Sequence, residues 1–230
     1  MTFKILFDNY NYDKNLQSLW GFSSLIKVHN KTILFDTGSN GRVLLKNAKK
    51  MGVNFKDIDI VFISHSHWDH IGGLDTVIEE NPDILLIVPS SLSKHLIKDL
   101  KTLVKEVMVI NQFTQLTDHL YSTGLAGDDM PEQSLIIEKN GELYVIGGCS
   151  HPGIDTFESI AKTLNKPIKY TLGGFHMMYK KEKDILNTIS KLSCEYITAT
   201  HCTGDLAIKL IKEKYQNKFI EGGVGKIITF

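Results

Sequence analysis

A chain of 230 residues, 42% hydrophobic and 23% charged, can bury a sizeable core and is too apolar to be disordered or fibrous. Its 26 Lys+Arg and 26 Asp+Glu cancel to a net charge of +0, so no broad basic field exists to hold nucleic acid, and an anionic substrate must be held locally. Three cysteines, Cys149, Cys194 and Cys202, are odd in number and lack framework spacing, and no apolar run resembles a signal peptide or reaches membrane length. The expectation is a cytoplasmic protein of a single domain over residues 1–230, with two small domains as the alternative and with no membrane or nucleic-acid partner; a homo-oligomer is compatible with it.

Residues 3–7 read as a first strand. Residues 22–28 and 32–35 alternate in polarity around a turn at 29–31, the pattern of a half-buried antiparallel pair. The second of these ends in Asp36-Thr37-Gly38-Ser39, where Ser39 or Asn40 can cap a helix carrying Val43, Leu44 and Leu45. A strand over 57–63, a helix over 74–80, a strand over 84–88, a helix from about 91 to 100 and a strand over 107–110 give a β-α-β-α-β rhythm. Such a rhythm puts helices outside a buried sheet and gathers ligands at strand ends.

A short strand over 119–122 precedes an irregular loop, 123–132, whose Asp128 and Asp129 read as solvated loop residues. Residues 134–139 and 143–146 form a hairpin around Asn140-Gly141. Helices near 156–164, 183–192 and 206–215 then alternate with strands over 168–172 and 196–200, and 226–230 closes the chain as a strand. No repeat, low-complexity tract or linker divides it.

The chemistry concentrates in Ser64-His65-Ser66-His67-Trp68-Asp69-His70-Ile71-Gly72-Gly73, directly after an apolar run. Imidazoles and a carboxylate are good ligands for zinc-like or iron-like ions, and in the turn after a strand four such side chains can converge. A histidine-rich surface turn is the bland alternative; the spacing His-x-His-x-Asp-His after a buried strand outweighs it. Trp68 either lines a pocket or packs beneath the loop. His151, His176 and His201 also follow predicted strands in glycine-containing turns, so six of the nine histidines lie at strand ends. A metal site assembled from distant segments requires such placement.

The pattern His65-x-His67-x-Asp69-His70, with the earlier strand ending Asp36-Thr37-Gly38, resembles the signature of the metallo-β-lactamase-fold superfamily. Gly148-Cys149-Ser150-His151-Pro152-Gly153, Gly173-Gly174-Phe175-His176 and His201-Cys202-Thr203-Gly204 are similar to motifs of a subgroup related to the dihydropterin–aminobenzene phosphate synthases of methanopterin biosynthesis. The resemblance implies an α/β fold, a four-layer αβ/βα sandwich of two mixed β-sheets with outer helices, and a site for two divalent metal ions, zinc foremost with iron or manganese as alternatives.

By that resemblance His65, His67 and His151 hold one ion, and Asp69, His70 and His201 the other. Asp36 supports the metal loop or a ligand imidazole from behind. Cys149 stands near the position where many relatives have a bridging Asp, and is either a thiolate ligand or a small buried residue. His176 is a further ligand, a general acid, a substrate contact or a histidine satisfied beside the site. Lys27, Lys180, Lys181 and Arg42 are candidate phosphate contacts, with solvated surface charge the simpler reading; Cys194 belongs to the core.

The expected activity is that of a metallo-hydrolase, a phosphoesterase acting on a phosphate ester or phosphodiester of a pterin-like or nucleotide-like small molecule, with Asp69 and His176 as catalytic residues. A lactone or thioester hydrolase, a metal-containing ligand-binding protein and an iron-dependent redox protein are the alternatives.

Overall fold

Each strand expected above forms, and the polar segment Thr114–Thr117 adds one more. The structure, a computed structural model, describes residues 1–230. Its first stretch runs β1 (Thr2–Phe7), β2 (Ser23–Val28), β3 (Lys31–Phe35), α1 (Gly41–Lys50), β4 (Ile60–Phe62), α2 (Trp68–Ile71), α3 (Leu74–Glu80), β5 (Leu85–Pro89), α4 (Lys94–Leu103) and β6 (Glu106–Ile110). The second runs β7 (Thr114–Thr117), β8 (Leu120–Ser122), β9 (Leu135–Lys139), β10 (Glu142–Gly147), α5 (Ile154–Ala161), β11 (Ile168–Gly174), α6 (Glu182–Lys191), β12 (Tyr196–Thr200) and α7 (Asp205–Tyr215), before β13 (Ile227–Thr229). By internal contacts the chain divides into two units, residues 1–111 with 222–230, and residues 112–221.

The first unit is built on a seven-stranded sheet in the order β13-β1-β2-β3-β4-β5-β6. Its hairpin half is antiparallel, whereas β3 to β6 are parallel, joined by α1, α2–α3 and α4. Phe3 faces Ile228 across β1 and β13, which ties the end of the chain to its beginning. Val43, Leu44 and Ala48 of α1 and Leu74, Val77 and Ile78 of α3 pack with Leu34, Val61 and Leu86 of the strands in one buried cluster. Truncating any of its fully buried leucines to Ala costs about 2–5 kcal/mol.

The second unit repeats the plan with six strands in the order β12-β11-β10-β9-β8-β7. β7 to β10 are antiparallel and β10 to β12 parallel. Ile154, Phe157 and Ala161 of α5, Ile185 and Ile189 of α6, and Ala207 and Ile211 of α7 cover Leu143, Val145 and Ile197 of this sheet. Cys194 sits in the same cluster, as expected of a core residue.

Three departures from the sequence expectation have local reasons. The strand expected over 57–63 shrinks to β4 because Phe55–Asp57 forms a 3₁₀ turn whose start is capped by the Asn54 side chain. α4 begins at Lys94 rather than near Ser91, because Leu92 N–H bonds back to Pro89 O and holds 89–92 as a turn. The metal motif is not all turn: its second half, Trp68–Ile71, is the short helix α2.

A candidate metal centre

In the parallel half of each sheet the candidate ligands sit just beyond the carboxyl ends of strands, where such sheets place ligand groups. In the first unit the organiser is Asp36, which follows β3 in a left-handed conformation, φ 52°, and is fully buried. Its carboxylate accepts from Ser64 N–H at 2.8 Å and Ser64 Oγ at 2.7 Å, and lies 2.6 Å from His70 Nδ1. A carboxylate ion has no proton to give, so His70 Nδ1 carries the hydrogen and the lone pair resides on Nε2. Ser64 has spent its one hydroxyl proton on Asp36, so at 2.9 Å Ser64 Oγ accepts from His65 Nδ1, and His65 too presents Nε2 as the lone-pair nitrogen.

One carboxylate thus sets the tautomer of two candidate ligands. His65 and His67 rings are 4.7 Å apart and His65 and His70 rings 4.2 Å, while Asp69 Oδ2 lies 3.7 Å from His70 Nε2. His70 O accepts from Thr37 N–H and Oγ1, which ties the motif to the turn after β3. The glycine pair is needed for close approach: a Cβ on Gly73 would stand 2.4 Å from Thr37 O, and one on Gly72 2.6 Å from Ser39 O.

In the second unit the organiser is Glu132, fully buried at the end of the irregular loop. Oε1 accepts from the backbone N–H of Gly148, Cys149 and Ser150 at 3.1, 2.9 and 3.0 Å. Oε2 accepts from His151 N–H at 3.0 Å and from His151 Nδ1 at 2.8 Å. His151 is therefore fixed as His70 is, Nδ1–H toward a carboxylate and Nε2 carrying the lone pair. Cys149 Sγ and ring nitrogens of His151 and His176 lie within 4.8 Å of one another, and His201 Nε2 is 3.4 Å from Cys149 Sγ.

The three turns of this unit are packed against each other. A Cβ on Gly174 would meet Gly148 O at 2.6 Å and Cys202 Sγ at 2.7 Å, so β11 has to end in glycine here. Ser150 Oγ donates to Gly174 O, and Phe175 N–H donates to Thr203 Oγ1. His176 is exposed, and its hydrogen bond with Cys202 raises its pKa above the ordinary imidazole value against the opposing effect of burial. Asp36, Ser150, His176 and His201, in the turns that carry or support the candidate ligands, are four of the ten non-glycine residues with positive φ.

Sequence reasoning did not find Glu132 or the part played by Cys202. Glu132 carried one signal, a carboxylate at the head of the buried run 132–137, but nothing in the spacing joins it to residues 148–151. Trp68 is 63% exposed, so it does not pack beneath its loop. Asp128 and Asp129 are exposed, as expected of solvated residues, and so are Lys27, Arg42, Lys180 and Lys181. Imidazoles with an aspartate in the first unit, and imidazoles with a thiol in the second, are donors that suit a borderline-soft divalent ion such as zinc, and three of the imidazoles have their tautomers set for coordination.

A family model of the metallo-beta-lactamase superfamily matches residues 21–157. The 7,8-dihydropterin-6-methyl-4-(beta-D-ribofuranosyl)-aminobenzene-5'-phosphate synthase of Methanocaldococcus jannaschii is 28% identical, over 97% of this chain and 94% of its own length. A ribonuclease Z of Agathobacter rectalis is 32% identical over a shorter stretch, 40% of this chain and 31% of its own. A solved structure described as a metal-dependent hydrolase of the β-lactamase superfamily superposes with a TM-score of 0.83 at 26% identity, covering 100% of this chain and 99% of its own. No helix is long and apolar enough to cross a membrane. Two mixed sheets with helices, a His-x-His-x-Asp-His turn after the fourth strand and these matches have one reading: the chain belongs to the metallo-β-lactamase superfamily, whose members are generally hydrolases.

Proposed function

We propose that the chain is a metal-dependent phosphoesterase with two divalent ions, whose ligands are drawn from His65, His67, Asp69, His70, Cys149, His151 and His201. The observation that carries this reading is a repeated one: in each unit a buried carboxylate, Asp36 or Glu132, fixes a candidate ligand imidazole through Nδ1 and leaves Nε2 for coordination. Two such pairs have little purpose in a core, where apolar side chains pack without polar satisfaction.

When bound, the ions supply a water of lowered pKa and a Lewis acid for the oxygens of the group under attack. Asp69, next to His70 and 5% exposed, orients the attacking water through its carboxylate. His176, exposed beside His151 with ring centroids 4.5 Å apart, gives a proton to the leaving oxygen or holds a phosphate oxygen. The substrate is a phosphate ester or phosphodiester of a pterin-like or nucleotide-like small molecule. Support comes from the relatives: one carries a pterin and a phosphate in the name of its product, and the other is a ribonuclease.

The test measures metal content of the purified protein and its turnover of bis(4-nitrophenyl) phosphate, with His67→Ala as control. Bound metal with phosphodiester turnover, both lost in the variant, is the expected result. Absence of metal under every loading condition overturns the reading. Turnover confined to lactones or thioesters moves the substrate to acyl carbons, and metal without any turnover makes the protein a binding protein.

A further inference from the structure

Glu132 is fully buried and contributes no ligand atom to any cluster of metal-binding side chains, and it is surrounded by five N–H donors. Four of the donors are the consecutive backbone amides of residues 148–151, turned inward by the left-handed Ser150 at φ 57°. Such a run of amides is a nest for an anion, and here the anion is part of the chain. The fifth donor is the His151 ring.

We propose that Glu132 is a positioning residue that controls metal affinity in the second unit by fixing both the Gly148–Cys149–Ser150–His151 turn and the tautomer of His151. This rests on the metal-centre reading above. Its two oxygens are filled by N–H donors, so it acts through His151 and the turn rather than by touching an ion. Because a carboxylate only accepts, His151 Nδ1 must hold the proton, and Nε2 must hold the lone pair. Glu132→Gln reverses this logic. The amide oxygen can still accept from the three amides now bonded to Oε1, but the NH₂ group then faces His151 Nδ1 and donates to it, while the His151 backbone N–H loses its acceptor. The ring proton moves to Nε2, the nitrogen needed for coordination, while the volume of the side chain is unchanged.

The experiment uses the full chain and two readouts. Long-range ¹H–¹⁵N spectra of the metal-free protein report the His151 tautomer, its signals assigned by their loss in His151→Asn. Competition with a chromophoric chelator reports zinc affinity and stoichiometry. The expected result is a proton on Nδ1 in the wild type and on Nε2 in Glu132→Gln, with one of two zinc ions weakened on the order of 10–100-fold. If Glu132→Gln fails to fold, Glu132→Asp serves. It keeps the charge and the Nδ1–H tautomer but is too short to reach both His151 and the amides, so the loss of affinity is partial and the tautomer is unchanged. A folded Glu132→Gln protein with wild-type tautomer and wild-type affinity overturns the proposal, and so does a lowered melting temperature with unchanged affinity in the folded fraction. Wild-type protein that takes up no zinc overturns the metal-centre reading instead, and the tautomer measurement still judges Glu132.

Discussion

The two units solve one chemical problem with opposite distributions of sequence. The first compresses four candidate ligands into residues 65–70, with one supporting carboxylate at Asp36. The second spreads Cys149, His151, His176 and His201 over three strand ends and supports them with Glu132. In the first, a single short motif needs one anchor and its tautomers are relayed through Ser64. In the second, three turns must be packed against each other, which explains the glycines at 173 and 174 where any Cβ would strike backbone or sulfur. A clustered ligand set needs orientation; a dispersed one needs close packing as well.

The strongest way to break this comparison is to remove the ions. Dialysis against a chelator is expected to abolish phosphodiester turnover and zinc to restore it, with His67→Ala and His151→Ala each lowering turnover at saturating zinc by about 10³-fold or more, from the two halves equally. Steady-state rates with measured metal content decide this. A His151→Ala protein with wild-type turnover would confine the chemistry to the first unit.

Asp36→Asn sharpens the comparison within the first unit. The substitution leaves His70 Nδ1 facing an amide and interrupts the relay through Ser64 to His65, so two candidate ligands lose their tautomer control together. Metal affinity is expected to fall about 10–100-fold, as when a ligand's supporting carboxylate is lost. Chelator competition measures the drop; an unchanged affinity would show that Asp36 serves folding alone.

How much of this was legible in the sequence follows the same division. His65 to His70 declared themselves by density, and Asp36 only through the superfamily resemblance, and the structure gives Asp36 both parts expected of it, a bond to loop backbone at Ser64 and one to a candidate ligand imidazole at His70. Glu132 was invisible because its partners lie 16 to 19 residues away, across the β9–β10 hairpin, and no local pattern encodes that meeting. β7 was missed because Thr114–Thr117 is polar and has one buried residue, Leu116; its pairing with β8 makes it a strand. The 3₁₀ turn at Phe55–Asp57 rests on one Asn54 side-chain bond inside an otherwise strand-like apolar run.

A buried carboxylate away from the candidate ligands gives the control. Glu158, 1% exposed, accepts from Thr171 Oγ1 at 2.8 Å and from Ser193 N–H and Oγ at 2.8 and 3.0 Å, and it holds no imidazole. Glu158→Ala leaves those donors unsatisfied, for a loss of about 3 kcal/mol. Denaturant unfolding should record that loss while zinc affinity stays at the wild-type value. A fall in affinity as large as that of Asp36→Asn would mean that any buried carboxylate supports the site, and the distinction drawn for Asp36 and Glu132 would fail.

The smallest expected effect concerns Cys194, the thiol of the second unit that packs in the core. Burial, with the Glu158 charge nearby, pushes it from an ordinary value near 9.0 up to about 12. The folded protein therefore holds this proton more tightly than the unfolded chain does. The stabilising contribution is complete below about pH 9, where both states are protonated, and is lost as pH rises from there toward 12, at most about 1.4 kcal/mol per pH unit. Cys194→Ala loses packing and the 3.3 Å contact with Tyr215 Oη, so it starts about 1 kcal/mol less stable at pH 7. It also loses the titration, so its deficit should close by about 1 kcal/mol between pH 9 and pH 10, below the range where Tyr170 and Tyr215, both raised by burial, add slopes of their own. Urea unfolding of both proteins at pH 7, 9 and 10 measures the convergence; parallel stability curves would place the Cys194 thiol near its ordinary pKa and show that it is not shielded from solvent by the core around it.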